Sequence, residues 1–159
     1  MKLGWALREL HRSETKLARS LDAIAARHHN DHGIYHTAMD LSVWSREHIA
    51  LIADAAERYD VNLRPHPRTR AVTESAQEWV SDKVGRRPEP ALLLLADLRR
   101  LHRRAAGVSL DWELLAQGAQ GAKDVDLINL SQRCHPQSLR QMRWANAMLK
   151  ELSAQALTS

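Results

Sequence analysis

The sequence predicts an all-α fold, an antiparallel four-helix bundle with one long crossover between its second and third helices. Three observations carry that expectation. Four long segments repeat apolar residues at helical spacing, roughly 3–29, 32–59, 90–121 and 124–156. No stretch alternates at period two for long enough to read as a strand. Phe is absent while Ala and Leu abound, which suits closely packed helices.

The breaks between segments fix the expected topology. The first, His29-Asn30-Asp31-His32-Gly33, is short and rich in turn and N-cap residues. The last lies between Gly118 and Asp124, where Gly121 is placed to end one helix and Asp124 to cap the next. The connection 61–89 is different in kind. Arg64-Pro65-His66-Pro67 and Gly85-Arg86-Arg87-Pro88 bracket a short amphipathic piece from Thr73 to Val84. Two tight hairpins joined by so long a connection let the third helix start at the far end of the bundle, parallel to the second. Pro136 is expected to kink the fourth helix near Cys134.

Composition narrows the class. The 159 residues are 44% apolar and 26% charged, which describes one globular domain rather than a disordered chain. A single cysteine, Cys134, excludes a disulfide framework and a Cys-based zinc site, and fits the reducing cytoplasm. No apolar run approaches the ~18 residues of a membrane span. The opening MKLGWALRELHR turns charged too soon for a signal peptide. No hydroxyl-nucleophile motif, glycine-rich phosphate loop or nucleotide fingerprint occurs, so no catalytic residue is assigned.

Each helix carries an apolar strip with a polar interruption near its middle. On the first, Leu3, Leu7, Leu10, Leu17, Leu21 and Ile24 are interrupted by Glu14. On the second, Ser45 and His48 stand three apart in a strip that runs from Ile34 through Leu41 to Ile52. His102 falls inside the third strip and Gln141 inside the fourth, with Trp144 adjacent. Reflecting each hairpin about its turn puts Glu14 opposite position 47, within a residue of His48. It also puts Gln141 opposite position 104, about half a turn from His102. One polar layer, Glu14, Ser45, His48, His102 and Gln141, is therefore expected across an otherwise apolar core.

A long-crossover bundle with such a layer resembles the ferritin-like superfamily. Its members hold two metal ions with a Glu from helices 1 and 3 and a Glu-x-x-His pair from helices 2 and 4. The resemblance sets Glu14 at the helix-1 carboxylate. Ser45-Arg46-Glu47-His48 looks like the helix-2 motif with Ser in place of Glu, and His102 falls at the helix-3 carboxylate. Gln141-Met142-Arg143-Trp144 looks like the helix-4 motif with both ligands replaced. The resemblance thus implies a degenerate di-metal site. Two dications ~3.5–4 Å apart need bridging anions, and one Glu supplies too little negative charge.

The leading reading is a buried hydrogen-bond network that fixes helix register in a structural or interaction module without a cofactor. The alternative is one Fe, Mn or Zn ion on Glu14, His48 and His102, possessing open positions for oxidative or hydrolytic chemistry. A third is a small-molecule carrier with a Trp-lined core. His28, His29, His32 and His36 read as a solvated hairpin end.

Net charge is +4, with Arg64, Arg68 and Arg70, Arg86 and Arg87, and Arg99, Arg100, Arg103 and Arg104 clustered. Without interleaved aromatics these argue for a solvated surface and against nucleic acid, and leave an acidic partner or phosphate ligand as the alternative. Leu92 and Leu93 on the third helix, with Ile128, Leu139 and Met142 on the fourth, make an outer apolar stripe suited to a homodimer.

Overall fold

In the computed structural model, which describes residues 2–68 and 89–159, the chain is a bundle of four helices. They are α1 (Leu3–Arg27), α2 (His32–Glu57), α3 (Pro90–Ala122) and α4 (Val125–Thr158). No strand occurs among the described residues. The amphipathic piece 73–84, and with it Arg70, Arg86 and Arg87, lies outside them.

The local signals act where the sequence puts them. Asp31 caps α2 by accepting from the Ile34 N–H at 3.1 Å, and Asp124 caps α4 by accepting from Leu127 at 3.1 Å. Pro90 opens α3 at a position where its missing N–H costs nothing. One boundary differs from expectation. The α3–α4 turn does not use Gly121; α3 runs on to Ala122, and Lys123 takes the left-handed conformation at φ 55°. Pro136 lies inside α4 on its exposed side, and the helix continues through it to Thr158.

Side-chain pairs at the two ends set the direction of every helix. Asp97 near the start of α3 binds Arg27 and His28 at the end of α1, so α1 and α3 are antiparallel. Arg58, just past α2, binds Asp124 at the start of α4 with two bonds of 3.1 Å, so α2 and α4 are antiparallel. Hence α2 and α3 run the same way, as a long crossover requires. α1 packs on α2 and α3, while α4 packs on α3 and more loosely on α2; α2 and α3 stand at opposite corners.

The core is the expected one. Leu7, Leu10, Leu17 and Leu21 of α1 are fully closed to solvent, as are Ile52, Leu101, Val108, Leu115 and Leu127 from the other helices. Each such side chain contributes roughly 1.5–3 kcal/mol by leaving water. Gly4 lets the chain after α2 press onto α1, since a Cβ there would meet Val61 Cγ2 at 2.9 Å. No helix among the described residues is long and apolar enough to cross a membrane.

The outer stripe is only partly outward. Leu92 is exposed, Leu93 and Leu139 are half-buried, and Ile128 and Met142 pack against the core. The hairpin histidines also divide. His32 and His36 are exposed and stacked, whereas His28 donates to Asp97 at 2.7 Å and is almost closed to solvent. The expectation of a wholly solvated histidine end is corrected there: Asp97, arriving from α3, gives His28 a buried partner.

Candidate functional site

At mid-height the apolar strips give way to polar side chains, and the structure draws four of the expected five inward. Glu14, Ser45, His48 and Gln141 are all buried. Glu14 stands in the middle of a leucine-lined strip, so helix formation alone carries its carboxylate into the core, and its partners come from other helices. His48 Nδ1–H donates to Glu14 Oε1 at 2.8 Å, and the Trp112 indole N–H donates to the same oxygen at 2.9 Å. His48 Nε2–H is turned to Gln137 Oε1 at 2.7 Å. The Trp112 ring stands edge-on to the imidazole, centroids 5.8 Å apart. One turn further along α4, the Gln141 amide donates to the Leu41 carbonyl and the Ser45 hydroxyl, both at 2.9 Å.

Both imidazole nitrogens face acceptors, which describes an imidazolium. Burial by itself opposes that charge. The neighbouring Cys134 sulfur, the hydrogen bond to Glu14 and the Glu14 charge outweigh it and raise the His48 pKa to about 10. The layer is therefore a buried ion pair, with Cys134 against the same ring. Three buried atoms of the layer, Glu14 Oε2, Ser138 Oγ and Gln141 Oε1, carry no hydrogen bond among the described residues.

His102 is not brought into this layer. It is half-buried and ten residues from Trp112, about 15 Å along α3 at 1.5 Å per residue. The reason is one of register. The residue of α4 that meets His48 is Gln137, a turn before Gln141, so an inference carried from Gln141 to α3 lands too far toward the first hairpin. At the level of Glu14, α3 presents Trp112. Trp144 is half-buried and packs against the core.

Three members escaped sequence reasoning. Trp112 and Cys134 lie on apolar strips and read as filling, and Gln137 lies just off the strip of α4. Trp112 carried the better signal. A large ring centred on an inward-facing strip needs a partner for its N–H, and Glu14 needed a donor.

The donor set does not fit the paired metals of the ferritin-like pattern. It holds one carboxylate, whose Oε1 accepts two protein N–H groups, and a His whose two nitrogens both donate. Among the described residues no three His, Cys, Asp or Glu side chains gather closely enough to hold a metal ion. Two cavities among the described residues, of about 280 and 360 Å³, lie along the outer face of α1 and do not open on the layer. No family model matches the sequence, and no curated protein or solved structure matches it.

Proposed function

We propose that this chain is a ferritin-like bundle without paired-metal chemistry, acting as a structural or interaction module whose central ion pair holds four helices in one register. The observation that supports this reading is the double occupation of Glu14 Oε1 by His48 and Trp112. Of the two Glu14 oxygens, Oε1 is engaged by two protein donors and only Oε2 is left over, and the His that would share a metal is turned to Gln137. Exposed Leu92, Leu110 and Leu114 on α3 and Val125 on α4 support a homodimer through these two helices. The lone free thiol of Cys134 supports a reducing, cytoplasmic setting.

Elemental analysis of protein purified without chelator tests the reading. The expected result is far less than one equivalent of Fe, Mn or Zn per chain, unchanged in His48→Ala. About one metal per chain, abolished by His48→Ala, would replace it with a mononuclear metal protein. Light scattering after size exclusion tests the dimer; the expected mass is twice that of the chain, returning to one chain in Leu110→Asp/Leu114→Asp.

A further inference from the structure

A cationic groove runs along the outer face of α1, beneath the chain that leaves α2. Val61 is buried beside Gly4, His11 bonds the Arg64 carbonyl at 2.7 Å, and Pro67 and Arg68 reach the level of Lys16 and Arg19. The cavities of about 280 and 360 Å³ share those last four residues and so adjoin. The first extends to Arg104 and Asp97 of α3 and to Asp22 and Arg46.

Among the described residues, the charge lining this groove is unbalanced. The two carboxylates among them are both committed, Asp97 to Arg27 and His28, and Asp22 to Arg46 and Ser42. Lys16, Arg19, Arg68 and Arg104 line it without a carboxylate partner among the described residues. Arg104 is the telling case. Half-buried, it donates, among the described residues, to the Ser20 hydroxyl and, at 3.4 Å, to the Lys16 carbonyl. Burial first, and then the nearby charges of Arg100 and Arg27, depress its pKa. Gathering like charges in a concavity costs folding free energy, and a bound anion reverses that cost.

We propose that this groove binds a small anion carrying two or more linked phosphate groups. Guanidinium forks match phosphate oxygens, and cations spread along adjoining cavities match a short chain of phosphates better than a single one. The volumes suit a small ligand. A nucleic-acid strand fits less well, because residues 61–68 overlie α1 and, among the described residues, no Trp or Tyr lines the groove to stack a base. The site is separate from the central layer and stands whether or not that layer is purely structural.

Titration calorimetry and thermal melting of the full chain with inorganic tripolyphosphate, at fixed ionic strength, test the proposal. One saturable site per chain and a raised melting temperature are expected, with a much weaker response to orthophosphate. Arg19→Gln/Arg68→Gln, both on the surface, is expected to weaken binding roughly tenfold per guanidinium removed, with an unchanged helical circular dichroism spectrum. Arg104→Gln should weaken it further; if that variant fails to fold, the surface pair decides. The proposal is overturned by the absence of saturable binding, or by binding that Arg19→Gln/Arg68→Gln leaves unchanged. Tighter binding of a single-stranded oligonucleotide than of tripolyphosphate would also overturn it, in favour of a nucleic-acid surface.

Discussion

The Glu14 carboxylate accepts a proton-bearing nitrogen of His48 at 2.8 Å, with both side chains closed to solvent. A buried ion pair of this kind contributes little net stability, because two desolvation penalties offset the attraction. Losing one partner is another matter, since the survivor is left charged in the core. Glu14→Ala is therefore expected to destabilise the chain by about 3–5 kcal/mol. Glu14→Leu/His48→Leu should lose less than the sum of the single variants. Urea unfolding of the four proteins in a double-mutant cycle measures the coupling, and additive losses would show that the pair does not act as a unit.

The same pair makes stability depend on alkali. His48 has a raised pKa, about 10 in the folded chain against an ordinary 6.5, so its contribution is fully present below pH 6.5. It declines as pH rises through that window and is gone above about pH 10. Cys134, Glu14, Trp112 and Gln137 are the groups that face it. Chemical denaturation from pH 6 to 10 should show falling stability, and His48→Gln should flatten the slope.

Acid acts at the C-terminal end of α1. Burial alone would raise the Asp97 pKa, but hydrogen bonds from His28 and Arg27 hold it below the ordinary carboxylate value. Its contribution is present above about pH 4 and is lost as pH falls through the lowered value. Asp97→Ala is expected to cost about 3–5 kcal/mol at pH 7, since it strands two donors in a buried setting. The comparison that checks it is the acid limb of the unfolding curve, which should shrink in the variant.

Within the layer, Ser138 and Gln141 should respond differently. The buried Ser138 hydroxyl makes no hydrogen bond among the described residues, so Ser138→Ala is expected to be neutral or to stabilise by up to about 1 kcal/mol. Gln141→Leu removes donors to Leu41 and Ser45 and is expected to cost about 1–3 kcal/mol. Thermal unfolding ranks the two, and a large loss in Ser138→Ala would reveal a partner for that hydroxyl.

Two backbone positions offer gains. Lys123 holds φ 55°, a conformation that costs a residue with a Cβ about 1 kcal/mol relative to Gly. Gly107, inside α3, has nothing within 4 Å of a built Cβ. Lys123→Gly and Gly107→Ala are each expected to stabilise by about 0.5–1 kcal/mol, a rise of roughly 1–4 °C in Tm per substitution.

What the sequence determined by itself is the set of helices, their inward faces and the burial of Glu14, Ser45, His48 and Gln141. Those follow from periodicity and from turn residues such as Asp31 and Asp124, whose physics is local. The pairing of Glu14 with His48 was also legible, because a tight turn ties α1 to α2 and fixes their relative height. The tertiary structure alone decided what α3 contributes. Its register against α1 is set across a seam with no short loop, by Asp97 locking onto Arg27 and His28, so Trp112 rather than His102 arrives at the carboxylate. The groove on α1 is of the same kind: its arginines are scattered along the chain, and only packing gathers them into one concavity.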